Sequence, residues 1–142
     1  VGEIEVSSRL IAGEFPPYQQ IMPNTYSVKA EFGREEILEA VKRANLFARD
    51  NANIVKLTIQ KESVVVKAES SQVGTSVSEV PAKVEGEGMT IAFNARYLLD
   101  YLGISYSERI IWETEGELKP SVFKNEEESA WIQVVMPVRV QD

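Results

Sequence analysis

The chain contains no cysteine and no histidine. Without cysteine there is neither a disulfide framework nor a thiolate for redox or nucleophilic work. Without histidine the commonest general base and the commonest transition-metal ligand are gone, so no zinc centre, no catalytic triad and no cofactor is expected. Long apolar runs are also missing. No stretch approaches the roughly 20 residues needed to span a bilayer, and the longest, at residues 132–137, is interrupted by Gln133. No membrane partner is expected. The chain opens at Val1 inside a strand-like run, without a charged-then-apolar leader, and this opening reads as a cut.

Positive charge is in deficit, with 15 Lys and Arg against 22 Asp and Glu and a net charge of −7. A broad basic face for nucleic acid is therefore not expected, and any DNA contact must be local. What is present is a composition that is 44% hydrophobic and 26% charged over 142 residues, which suits one domain with a core of useful size.

Residues 4–11 carry β-branched side chains between Gly2 and Gly13 and read as a strand. Phe15-Pro16-Pro17-Tyr18 ends it, because two successive prolines cannot donate to a ladder. Residues 1–22 are thus expected to be the end of a preceding unit and a linker, and residues 23–142 the domain proper.

From there the chain repeats itself. Strand 25–32 and helix 34–49 precede strands at 54–59, 63–68 and 75–80. Strand 89–93 and helix 95–102 then precede strands at 109–113, 121–124 and 130–136. Phe32-Gly33-Arg34 matches Phe93-Asn94-Ala95, and Ile37, Leu38 and Val41 match Leu98, Leu99 and Leu102 at a constant offset. Gly33 and Asn94 are both good N-cap types, so the helix starts agree independently of the apolar match. The predicted fold class is α+β, a duplicated β-α-β-β-β unit with two helices packed on antiparallel sheets.

In the first helix Ile37, Val41, Ala44 and Ala48 recur at i, i+4, i+7 and i+11 and form the core stripe. Turns are expected at Lys61-Glu62 and at the acidic run from Asn125 to Ser129.

A duplicated β-α-β-β-β unit resembles the building block of DNA sliding clamps, and three separated motifs are similar to the bacterial branch. These are Ser8-Arg9-Leu10-Ile11 with Phe15-Pro16-Pro17-Tyr18 and Ile21-Met22-Pro23; Phe93-Asn94-Ala95-Arg96-Tyr97-Leu98-Leu99-Asp100; and Val134-Val135-Met136-Pro137-Val138-Arg139. The resemblance is to the third, C-terminal domain of the DNA polymerase III beta subunit, with the last strand of the second domain before it. It implies a DNA-clamp fold and one sixth of a homodimeric ring around duplex DNA, a non-catalytic processivity factor in the bacterial cytoplasm at the nucleoid. Encirclement by a ring needs only weak phosphate attraction, so an acidic total is compatible with that role.

The resemblance also implies three sets of site residues. A groove for polymerase and clamp-loader peptides of the Gln-Leu-x-Leu-Phe type would use Pro16, Ile21, Tyr97, Ser121, Val134, Met136, Pro137, Val138 and Arg139. Read from the residues alone, Val134 and Met136 are inward strand residues and Tyr97 a core aromatic. DNA would be faced by Arg34, Lys42, Arg43, Arg49 and Arg96; the alternative is plain helix-surface cations that complement the helix dipole. The positions after Tyr18, often basic in the family, are Gln19 and Gln20, which weakens DNA contact there. A subunit interface would use Leu46 and Phe47, which otherwise form a second core facet. As an isolated domain the chain is expected to be monomeric. Two rival readings are a hydrolase built on paired carboxylates, for which no pair stands out, and a stand-alone β-rich scaffold without a DNA role.

Overall fold

In the computed structural model residues 2–127 and 131–140 are described. The first unit consists of β1 (Val28–Gly33), α1 (Arg34–Ala48), β2 (Ile54–Ile59), β3 (Ser63–Ser70) and β4 (Gly74–Glu85). The second consists of β5 (Thr90–Asn94), α2 (Ala95–Ile104), β6 (Arg109–Thr114), β7 (Ser121–Asn125) and β8 (Ile132–Val135). The duplicated order expected from the sequence is the order found. Strand β4 is about twice as long as expected, and the Ala130 end of the last expected strand lies outside the described residues.

Neither unit completes its own sheet. β1 pairs with β6 of the second unit, from Val28 opposite Thr114 to Gly33 opposite Arg109. β5 pairs with β2 of the first, from Ile54 opposite Asn94 to Thr58 opposite Thr90. The two crossings match in detail. The Arg34 amide donates to Glu108 O and the Ala95 amide to Asn53 O, each at 2.8 Å. In both, the first helical residue is tied to the residue preceding the other unit's second strand.

The strands form one antiparallel sheet in the order β5-β2-β3-β4-β1-β6-β7-β8, where separate sheets under each helix were expected. β4 joins its halves: Gly74 to Pro81 pair with β3, and Ala82 to Glu85 pair with β1. Pro81 stands where the strand changes partner, so its missing N–H interrupts no ladder. The corresponding stretch after β8 turns back toward the sheet's other end, where the Val138 amide donates to Ala92 O at 2.8 Å. The sheet is thereby almost closed on itself.

The helices lie side by side over the inner face. Their run is antiparallel, because Arg34 at the start of α1 donates from Nη1 to Leu102 O near the end of α2, at 2.9 Å. The predicted stripe of Ile37, Val41, Ala44 and Ala48 is buried, together with Leu38 and Ala40. Asn94 caps α2 by accepting the Arg96 amide at 3.0 Å; Gly33 caps α1 without a side chain.

The two halves of the core are filled differently. In the second, Trp112 stacks on Phe123 with centroids 5.5 Å apart, and Phe93 meets both edge-on. The matching places in the first half hold Leu57, Val66 and Phe32, all buried. Tyr101, on the shorter helix, fills the space that the longer α1 takes with Ala40 beneath it. Its hydroxyl donates to Asn125 Oδ1 at 2.9 Å, and Ser105 Oγ donates to the same atom at 2.7 Å.

Residues 4–11 do not form the expected strand. They run as coil outside every sheet of the described residues, with Ile4, Val6, Leu10 and Ile11 each more than 70% exposed. A strand pattern produces a strand only when a ladder partner stands beside it, and no described element of the domain takes that place. A short 3-10 turn, Tyr18–Gln20, follows.

Trp112→Ala removes the stacked centre of the aromatic cluster and should cost about 3–5 kcal/mol in denaturant unfolding, against well under that for an exposed site. Burial pushes the Tyr101 hydroxyl up to about 12, with the Ser105 hydrogen bond opposing. The folded state therefore holds this proton more tightly than the unfolded state. Its contribution to stability is complete below pH 10 and is lost as pH rises from 10 to 12. The stability difference between wild type and Tyr101→Phe should shrink over that window in paired urea titrations.

Candidate functional site

The end of β8 and the flank of α2 present apolar side chains to solvent, Met136 and Tyr97 among them. Within β8 the residue turned into the core is Val135, 2% exposed. That corrects the reading of Val134 and Met136 as inward residues: Val134 is half-buried on the opposite face and Met136 is 57% exposed. Tyr97 is likewise 57% exposed and is no core aromatic. It lies on the flank of α2 away from α1, since Leu99, two residues on, packs at the core side. β8 is the last strand of the sheet, so its free edge runs beside α2 with exposed apolar side chains on both banks.

The remaining members of the expected groove are distributed unevenly. Ser121 opens β7 opposite Val135 and is fully buried, its Oγ without a hydrogen-bond partner among the described residues. It supports the wall from beneath and offers no open surface. Pro137 and Val138 are half-buried and Arg139 is exposed. Val138, tied to Ala92, lines a hollow of about 280 Å³ with Lys56, Thr90, Leu118 and Val140 on the outer face of the sheet. Pro137 cannot donate a backbone hydrogen bond, which is why β8 stops before it. Pro16 and Ile21 sit on the exposed N-terminal segment, where the Phe15 and Tyr18 rings meet edge-on.

The five cations expected to face DNA fall into different surroundings. Arg34 is half-buried and spent on the C-terminal carbonyl of Leu102, where it complements the end of the α2 dipole. Arg43 reaches the opposite way, from Nη2 to Ser78 Oγ on β4 at 3.4 Å. Lys42 is exposed and paired with Glu39 at 2.8 Å, a hydrogen bond and charge that hold the Glu39 carboxyl below the usual carboxylate range. Arg49, the C-cap of α1, and Arg96, in the first turn of α2, are both exposed. Because the helices are antiparallel, the end of α1 and the start of α2 lie at the same end of the pair. By helical spacing Lys42 and Arg49 are on the α2 side of α1.

Leu46 is 56% exposed, whereas Phe47 is half-buried against the core. The two therefore divide the readings given to them: Phe47 is a core facet and Leu46 is open. Leu46 lies one turn beyond Arg43, whose side chain marks the β4 side of α1.

Sequence reading missed the neighbour of that helix face. From Gly74 to Pro81, β4 pairs with β3 on one side only among the described residues, and Val73 and Val77 are 69% and 62% exposed. This is a second free strand edge beside a helix. Its length was hidden by Pro81, which reads locally as a strand end. Among the described residues no group of three or more acidic or other ligand side chains is arranged to hold a metal ion.

The comparisons with known proteins agree with this geometry. The family described as "DNA polymerase III beta subunit, C-terminal domain" matches residues 19–139. A beta sliding clamp of Staphylococcus epidermidis is 32% identical over 141 residues, and one of Staphylococcus aureus is 31% identical. Each alignment covers 98% of this chain and 37% of the relative, so the chain spans little more than a third of the proteins it matches. Among solved structures, the DNA polymerase III beta subunit of Thermotoga maritima superposes with a TM-score of 0.89 at 29% identity, and the DNA polymerase sliding clamp of Bacillus subtilis with 0.88 at 29%. Each superposition covers 94% of this chain and 36% of the other. With the cross-paired duplication, the antiparallel helix pair and a match over residues 19–139, this chain belongs to the family of C-terminal domains of the DNA polymerase III beta subunit.

Proposed function

We propose that this domain is part of a ring-shaped DNA polymerase processivity factor, a non-catalytic module that encircles duplex DNA and tethers replication enzymes. The observation that carries the reading is the free edge of β8 beside α2, flanked by Tyr97 and Met136, in a chain of this family. A free edge accepts an extended peptide through backbone hydrogen bonds, and adaptable apolar side chains along it select leucine and aromatic anchors. A Gln-Leu-x-Leu-Phe peptide fits that chemistry. Met136, Val134, Tyr97 and Pro137 form the wall we assign to it, with Arg139 at the rim, Ser121 behind the wall, and Pro16 and Ile21 on the linker side.

The exposed apolar row of residues 4–11 supports reading residues 1–22 as the last strand and linker of a preceding domain. Such a strand leaves its apolar side chains open until the sheet it belongs to is present. On the opposite flank, Leu46 and the free edge of β4 form the surface we assign to the neighbouring subunit. Its counterpart would be supplied by another domain of a full-length homodimer, so the chain alone should sediment as a monomer.

DNA contact is assigned to Lys42, midway along α1, and to Arg49 and Arg96 at one end of the helix pair. Arg34 and Arg43 are given smaller parts because their guanidinium groups are engaged within the fold. Sequence-independent sliding requires few, weak phosphate contacts, which is consistent with a net charge of −7.

Met136→Asp places a carboxylate in the apolar wall and should weaken binding of a labelled Gln-Leu-x-Leu-Phe peptide at least about tenfold in fluorescence anisotropy. Equal affinity for the two proteins would remove the groove assignment. In the full-length ring, neutralising Lys42, Arg49 and Arg96 together should flatten the salt dependence of DNA association, the slope falling by about one unit for each phosphate that is no longer neutralised. An unchanged slope would show that these cations do not meet the backbone.

A further inference from the structure

The wall assigned to the peptide groove hangs between two supports. The ladder of β7 with β8 reaches Val135, opposite Ser121. The next backbone bond along the chain, among the described residues, is that of Val138 to Ala92 at the far edge of the sheet. Met136 and Pro137 bridge the gap, and Pro137 has no N–H with which to join a ladder.

Beyond Val138 the chain leaves the edge of β5 and hooks onto the outer face of the sheet. Ala92, Lys56 and Lys67 stand side by side in register on β5, β2 and β3. Val140 lies over this row. It lines one hollow of about 280 Å³ with Lys56, Thr90 and Val138, and a second of about 300 Å³ with Ile54, Lys56 and Lys67. Its side chain thus stands between the two, among the apolar stems of the lysines. The burial of Ala92 records the same crossing. Ile91 and Phe93 point into the core, so Ala92 points outward, yet it is only 8% exposed, and Val138 and Leu118 line the hollow with it.

We propose that Val140 is a positioning residue for the peptide groove: seated on the outer face, it latches the segment that carries Met136 and Pro137, so that the wall is in place before a peptide arrives. This rests on the groove reading above. A wall that is latched for only part of the time offers the peptide only that fraction, and the apparent affinity falls accordingly. By reciprocity a bound peptide returns the strap to its seat.

The test pairs amide hydrogen exchange at Val138 with anisotropy titration of a labelled Gln-Leu-Ser-Leu-Phe peptide, both on the full chain. Val140→Gly removes the seated side chain, Val140→Lys sets a charge against Lys56 and Lys67, and Val140→Ile keeps a β-branched apolar group. The glycine and lysine variants should raise exchange of the Val138 amide at least about tenfold and weaken the peptide at least about threefold, with the urea midpoint unmoved. The isoleucine variant should match the wild type. Saturating peptide should restore the protection of Val138 in Val140→Gly, a response that a merely structural role would not give. Unchanged Val138 exchange in Val140→Gly and Val140→Lys would overturn the proposal, as would an opened Val138 amide with undiminished peptide affinity. In the latter case the groove reading still stands if Met136→Asp weakens the peptide, and falls as well if it does not. Absence of binding to the wild type would overturn both.

Discussion

The exchange of strands between the two halves is the constraint on which the rest of this molecule depends. β1 finds its partner in β6 and β5 finds its partner in β2, so neither β-α-β-β-β unit can satisfy its backbone alone. The crossing strands run directly into the helices. Their ladders therefore fix where α1 and α2 begin, and the amide bonds from Arg34 to Glu108 and from Ala95 to Asn53 hold those starts. The antiparallel helix pair, its shared end with Arg49 and Arg96, and the two flanking clefts all follow from that exchange.

Pseudo-symmetry of the backbone leaves side chains free to diverge, and the divergence is where function enters. One half is filled by Phe93, Trp112, Phe123 and Tyr101 around a 10-residue helix, the other by Phe32, Leu57, Val66 and Ala40 under a 15-residue helix. Closure of the sheet is also unequal. Where β4 continues into four register pairs with β1, the chain after β8 continues through Pro137, which has no donor, to one bond at Val138 among the described residues.

Charge follows the same logic. The outer face of the sheet carries cross-strand ion pairs, Glu31 with Arg109 at 2.6 Å and Glu113 with Lys124 at 2.7 Å, so much of the positive charge is spent in place. On the helices Arg34 and Arg43 are engaged by a carbonyl and a hydroxyl. On the exposed helix surface Lys42 is paired with Glu39, and Arg49 and Arg96 stand at the same end of the helix pair.

The sequence by itself determined the duplication, the helix starts at Arg34 and Ala95, the buried stripe of α1 and the family, because those depend on local periodicity, capping chemistry and motif spacing. Local alternation alone would turn Val134 and Met136 inward, whereas it is Val135 that is buried. Which side of a strand is inward depends on the register with its neighbour, and Val135 takes the core place opposite Ser121. The strand pattern at residues 4–11 failed for the same kind of reason: a strand is a property of a pair. Only the tertiary structure decided that β4 passes Pro81 and joins two half-sheets, that Arg34 and Arg43 point away from each other, and that Leu46 is open while Phe47 is half-buried against the core. Each of these is settled by contacts between residues far apart in the chain, which no local spacing records.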